Sequence, residues 1–444
     1  MKKLLIGLLV IIGGFLLRFN DYYLFPVFGE TADEGAWTHL GASLIQERWP
    51  ASWSYFPAYQ NGYVYRTGVY DAPIVRPVFD HPPLFSLLPG LAHSLKNHWL
   101  DLPSAKLIRL PMVFLGAINV GLFWLLATKF FKKKTWVVLA TLLFMTIPTL
   151  IFGSRLVVAE NLLVTWLILS FWALLNLDKK WSWQVIFWVG AASILTKAAG
   201  LVIPLSVLAV AFMERNWRLF RVSLGSLLLG TGLFVVYGAI YDFPLFLQLL
   251  SAQSNRDLGL VTLQNRLFLH PTVIRHLLFD GWKILGLFAA ILLFGREDKK
   301  YLFLKIAVLL NLVFILFTVG ATTFHGWYDY LLWPLLIISL VELIKLILEK
   351  NLFLLAGLQW LLLLPLFNLV SGLELSLWQL RGVISLGFVP VLFQSLNFKK
   401  LAKLTYILIL GLLIITNVIV TLTFDQQSYW DQAEFFAENM PKVR

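Results

Sequence analysis

Asp33 and Glu34 are adjacent carboxylates just past an N-terminal apolar run, Leu4 to Leu17. Such a pair can act as a general base or hold a divalent cation. It also suits the first turn of a helix, where the dipole favours negative charge. Asp80-His81-Pro82-Pro83 sets a second carboxylate beside a histidine, before prolines that fit a helix start. His81 can carry a proton, contact a phosphate or ligate a metal. Arg155 and Glu160 flank a short connection between two apolar runs. They can pair with each other, or the arginine fork can take a lipid phosphate. Lys197 is a solitary cation between apolar runs, fitted to snorkel to an interface or to touch a phosphate. His325, Asp329 and Tyr330 lie among aromatics in Phe324 to Tyr330, and Arg256, Arg266, His270, Arg275 and His276 crowd the segment 241–280.

Together these residue types suit group transfer from a lipid-phosphate donor. A carboxylate deprotonates an acceptor, cations stabilise a phosphate leaving group, and aromatic rings stack on a sugar. No phosphate-binding P-loop, dinucleotide glycine motif, His-Glu-x-x-His zinc motif or Gly-x-Ser-x-Gly elbow occurs in suitable context.

The elements that position these residues must cross a membrane. Of 444 residues, 59% are hydrophobic and 14% charged, and the mean hydropathy is +0.78. Ordinary soluble chains are about 45–50% apolar and about 25% charged. A water-soluble enzyme, a disordered chain and a DNA-binding domain are therefore excluded, and no nucleic-acid partner is expected despite the net charge of +12. Cysteine is absent, so disulfides and thiolate chemistry are too.

The first apolar run has a charged start but no small-residue cleavage site after it, and reads as a retained anchor. Apolar runs follow at 107–128, 135–152, 161–177, 183–196, 199–213, 219–240, 281–295, 301–320, 331–348, 351–370, 382–397 and 404–423, which makes about thirteen crossings. With the N-terminus inside, every alternate connection is basic: Lys132 to Lys134, Lys179-Lys180, Arg215 with Arg218, Lys299-Lys300, Lys345 with Lys350, and Lys399-Lys400 with Lys403. Positive charge marks the cytoplasmic side. The acids, Asp33, Glu34, Asp71, Asp80, Glu160, Asp242, Asp257, Asp280 and Asp329, fall on the other side. The expected architecture is an all-α polytopic membrane domain over 1–423, with a short outer tail at 424–444. Its first outer loop, 19–106, holds two amphipathic surface helices, Glu34 to Gln46 and Pro83 to Lys96, and 241–280 forms a second outer segment.

Five short motifs in order resemble the GT-C superfamily of polytopic glycosyltransferases, in its protein O-mannosyltransferase and aminoarabinose transferase branch. They are Asp33-Glu34-Gly35-Ala36-Trp37, Asp80-His81-Pro82-Pro83-Leu84, Arg109-Leu110-Pro111, the stretch Ser154 to Glu160, and Leu195-Thr196-Lys197-Ala198. The likeness is specific over about residues 1–215 and looser beyond. It implies a hexosyl- or pentosyltransferase of the cytoplasmic membrane, with its site on the outer face. It also implies transfer, with inversion, from a polyprenyl-phosphate sugar to a protein, lipid or glycan acceptor. Asp33 corresponds to the family's catalytic aspartate, with Glu34 beside it. Donor or substrate contacts are expected from Asp80, His81, Arg155, Glu160, Lys197, Arg256, Arg266, His325 and Tyr330. The sequence departs from the pattern at His81, where the family carries lysine, and at Ala159-Glu160, where Pro-Asp is frequent. Participation of a divalent metal is left open by the sequence; Asp33, Glu34, Asp80 and His81 are the residues that could supply its ligands. The tail reads like the opening of the outer domain that many relatives carry. A lipid-linked-saccharide flippase, or a scaffold with the fold alone, is the competing reading.

Overall fold

The computed structural model describes residues 2–29, 31, 33–59, 64–65, 73–254, 280–318, 326–370 and 376–425. Helix α1 is Lys2–Phe19, and α2, Asp33–Glu47, follows in the first loop. Strands β1 (Ser52–Trp53), β2 (Val64–Tyr65) and β3 (Ile74–Val75) form a small antiparallel sheet in the order β1-β3-β2. This sheet corrects the all-α expectation. Helix α3, Leu87–Ser94, completes the loop.

Helices α4 to α12 are Ala105–Ile108, Leu110–Phe130, Lys134–Thr146, Pro148–Gly153, Glu160–Leu174, Lys180–Thr196, Val202–Met213, Trp217–Tyr241 and Phe243–Ser254. Helices α13 to α20 are Trp282–Phe294, Leu302–Thr318, Trp333–Lys350, Phe353–Leu363, Pro365–Asn368, Leu377–Leu386, Val389–Ser395 and Lys399–Thr423. Each apolar run of the sequence coincides with one helix or with two joined at a break. Pro148 at the start of α7 divides one run and Pro390 lies in the first turn of the second half of another, since proline suits a first helical turn and disrupts a helix interior.

The chain is a multi-pass membrane protein. Among the described residues five helices are long and apolar enough to cross a bilayer: Ala105–Phe130, Trp217–Tyr241, Lys299–Thr318, Gly326–Lys350 and Lys399–Thr423. The bent pair Leu377–Leu386 and Val389–Ser395 makes a sixth if it is one span. Other apolar helices are shorter, at 10–17 residues. The main core is built from α5 to α10, α13 to α16 and α20, with Trp282, Trp333 and Trp360 fully buried.

Helix α2 is not the amphipathic surface helix that its sequence suggests. Eight of its residues, Glu34 and Trp37 to Ser43, are buried. It packs on α3 with backbone almost touching backbone. A Cβ on Gly41 would lie 1.8 Å from the Ser86 carbonyl oxygen, and one on Gly90 would lie 2.3 Å from the Gly41 carbonyl carbon. Only glycine permits that approach, so the two loop helices form a single platform over the bundle.

Candidate active site

All five motifs meet at the end of the bundle where α1, α6 and α9 finish and where α5 and α8 begin. Asp33 and Glu34 open α2, where the dipole favours both acids. The Thr31 hydroxyl accepts the Asp33 amide N–H at 3.1 Å and helps set the turn. From adjacent positions the two carboxylates go to different places.

Glu34 points into the protein. Arg109 donates to both of its oxygens, Nε and Nη2 each at 2.7 Å, with both side chains fully buried. The Val157 N–H adds a third bond at 3.1 Å. The same guanidinium ties down the loop after α1 through the carbonyls of Tyr22, Pro26 and Val27. The first motif is thus pinned to the third and the fourth. His81 stacks on Trp37 with ring centroids 4.5 Å apart, which joins first and second. The Leu84 N–H donates to the Leu195 carbonyl at 3.0 Å, joining second and fifth. Lys197 and Glu160 close the circuit through a buried ion pair at 2.6 Å.

Asp33 is half-buried and faces a cavity of about 290 Å³ with Trp37, Trp53, Tyr55, Asp80 and His81. A second cavity of about 250 Å³ is lined by Lys197, Phe234, Gln253 and Phe314. Asp80, His81 and Tyr328 line both. Asp80 accepts from the Tyr59 hydroxyl at 2.8 Å, and its backbone carbonyl accepts from Gln253 at 2.8 Å. Burial and the nearby Asp80 charge push the Tyr59 phenol well above its ordinary value, so it stays a neutral donor.

Lys197 sits in extended backbone between α9 and the 3-10 helix Ala198–Leu201. Its ammonium lies 4.6 Å from the centre of the Tyr328 ring. Burial alone would lower its pKa, but the charges of Glu160, Tyr328 and Asp33 outweigh it and hold the group above the ordinary lysine value. Lys197 therefore stays charged at neutral pH.

Two expected contacts lie elsewhere. Arg155 does not pair with Glu160. Its guanidinium is buried and donates to the carbonyls of Leu17, Arg18 and Phe25, each at 3.1 Å, where it caps the end of α1. Those three carbonyls take the donors that a phosphate would need. Tyr330 donates to the Thr149 carbonyl at 2.5 Å and packs so tightly that a Cβ on Gly153 would fall 1.1 Å from its hydroxyl. Neither residue lines either cavity. Tyr328, two positions earlier, does. The 3-10 helix Gly326–Leu332 that carries it is anchored by the buried pair Lys283–Asp329 at 2.9 Å. Arg256, Arg266, His270, Arg275, His276 and His325 lie outside the described residues.

The donor groups fit a metal poorly. Among the described residues no three His, Asp or Glu side chains come together to hold an ion, and the oxygens of Glu34 are taken by Arg109 and Val157.

No protein-family model matches this sequence, and no curated protein matches it. Solved structures do. ArnT from Cupriavidus metallidurans in the apo state superimposes with a TM-score of 0.57 at 13% identity, over 100% of this chain and 81% of that one. ArnT bound to undecaprenyl phosphate gives 0.54 at 13% identity, with the same coverage. The chain has the fold of ArnT. The archaeal oligosaccharyltransferase AglB from Archaeoglobus fulgidus, in complex with an inhibitory peptide and a dolichol-phosphate, gives 0.48 at 13% identity over 99% of this chain and 59% of its own. Within this fold, sequence reasoning missed Tyr328 as a residue lining both cavities. The aromatic cluster 327–330 was its only signal, and that cluster reads equally well as a belt at the membrane interface.

Proposed function

We propose that this GT-C protein is a glycosyltransferase that moves a hexose or pentose from a polyprenyl-phosphate donor to a protein, lipid or glycan acceptor. One observation carries the reading: a carboxylate, Asp33, and a buried cation, Lys197, face two adjoining cavities with three side chains in common. A relative of the same fold, ArnT, has been solved with undecaprenyl phosphate bound, which supports a lipid-phosphate donor. The transferase domain spans 1–423, with about thirteen crossings. Its basic turns are cytoplasmic and its site is at the outer face of the cell membrane, as the lysine distribution supports.

The geometry supports a single displacement. The acceptor enters the aromatic cavity, and Asp33 takes the proton from its nucleophilic O–H or N–H. The nucleophile attacks the anomeric carbon from the face opposite the phosphate and forms the new glycosidic bond. The bond between that carbon and the phosphate oxygen breaks, its electron pair leaves with the polyprenyl phosphate, and configuration inverts. Lys197, buried beside Glu160, faces the developing negative charge. Glu160 fixes the ammonium, and Glu34, through Arg109, fixes the start of α2. Stacking on Trp37 orients His81 towards the donor.

The test uses purified protein in nanodiscs with a panel of polyprenyl-phosphate sugars, scored for free polyprenyl phosphate. Turnover of one donor, reduced about 10²–10⁴-fold in Asp33→Asn, is expected. Donor movement across a sealed bilayer without consumption, unchanged in Asp33→Asn, would replace the transferase with a flippase.

A further inference from the structure

A cleft of about 660 Å³ opens at the opposite end of the bundle, where α6 and α20 begin and α15 ends. Both α15 and α20 pack on α6. Its walls are apolar: Leu139, Ile344, Leu348, Ile407, Leu410 and Ile414. Its rim carries Lys133 and Lys403. Both are exposed, and among the described residues neither lies within ion-pair distance of a carboxylate. Glu349 also lines the cleft, so its own charge is +1. The neighbouring Lys132, Lys134, Lys399 and Lys400 make the surroundings strongly positive. Trp136, half-buried, lines the cleft too, and its indole N–H is shielded from solvent with no acceptor among the described residues. A shielded donor without an acceptor is costly unless something else accepts its bond. Gly411 leaves the α20 wall bare, for a Cβ there would meet nothing within 4 Å.

We propose that this cleft binds an anionic glycerophospholipid of the inner leaflet. Lys133 and Lys403 hold its phosphate, Trp136 donates to a phosphate or ester oxygen, and an acyl chain lies along Ile344, Leu410 and Ile414. The volume is that of a small-molecule site, roughly 300–1,000 Å³, and basic clefts between helices on the cytoplasmic side suit anionic headgroups. The proposal is independent of sugar transfer, because the cleft lies at the far end of the bundle from Asp33.

The experiment exchanges the purified full chain into nanodiscs of phosphatidylcholine with a minority of phosphatidylglycerol of the same chain lengths. Retained lipids are then counted by native mass spectrometry. The native chain retains phosphatidylglycerol in preference. In Lys133→Gln/Lys403→Gln retention falls about thirtyfold, because each lysine supplies about a fivefold preference for the anionic headgroup. In Lys132→Gln/Lys400→Gln, which removes the same charge outside the cleft, it falls by a clearly smaller factor. Gly411→Trp, which fills the cleft, displaces the lipid with every lysine in place. Equal retention of the two lipids by the native chain overturns the proposal, whatever the variants do. So does an equal fall in both double variants, which would mean surface charge alone. Stoichiometric displacement of phosphatidylglycerol by added undecaprenyl phosphate also overturns it, because the occupant would then be the carrier lipid.

Discussion

Glu34→Gln and Asp33→Asn are one atom-swap each, at adjacent residues, and should fail in opposite ways. Glu34 and Arg109 are both fully buried, and the carboxylate accepts three N–H bonds. A glutamine keeps one acceptor oxygen but sets an amide NH₂ against the guanidinium and leaves the arginine charge unbalanced. Removing one partner of a buried pair costs about 3–5 kcal/mol. Most of that cost is the stranded charge, so Glu34→Gln/Arg109→Met should be destabilised by less than the sum of the two singles, with a coupling of about 1–3 kcal/mol. Equilibrium unfolding in mixed detergent and SDS micelles measures the cycle. Asp33→Asn should unfold with the native protein while donor consumption is lost. If instead Glu34→Gln unfolds with the native protein and loses turnover as Asp33→Asn does, Glu34 belongs to the chemistry and its role is not one of positioning.

Lys197→Met strands Glu160 in the interior, since both are nearly inaccessible, and should cost about 3–5 kcal/mol. Adding Glu160→Gln should recover folding, read by gel filtration, without recovering turnover. Gly41→Ala forces a methyl to within 1.8 Å of the Ser86 carbonyl and should lower stability by at least about 1–3 kcal/mol, with a matching fall in thermal midpoint. His39 is buried on α2, where its Nδ1–H donates to the Trp99 carbonyl at 2.6 Å, and burial lowers its pKa from 6.5 to about 4. The unfolded chain therefore takes up this proton first as pH falls. The stability His39 contributes is intact above pH 6.5 and declines by about 3 kcal/mol on the way to pH 4. His39→Asn should flatten the denaturation midpoint over that window.

The apolar runs and their basic turns foretold where helices lie, because crossing a bilayer leaves little freedom in composition. The five motifs were legible as an ordered set, and they do come together. What each residue does there was not legible. Asp33 and Glu34 are neighbours in sequence, yet about 100° of helical rotation separates them, and only the position of Arg109, 75 residues on, decides which one is sequestered. Arg155 reads as a phosphate ligand by type, but its partners are backbone carbonyls that no sequence displays. Tyr330 and Tyr328 exchange expected places because a 3-10 helix turns by about 120° per residue, which sends two tyrosines of one motif to different neighbours.

The wall of Asp80, His81 and Tyr328 between the two cavities has a thermodynamic consequence. A molecule that shifts any of these side chains on entering one chamber changes the free energy of occupying the other. Linkage requires that influence to be reciprocal: if the two chambers take the donor and acceptor proposed above, whatever factor the donor imposes on acceptor affinity, the acceptor imposes on donor affinity. Binding isotherms for either substrate alone would then understate or overstate its affinity in the ternary complex by that same factor, and Tyr328, which also touches the charged Lys197, is where the coupling would be tuned.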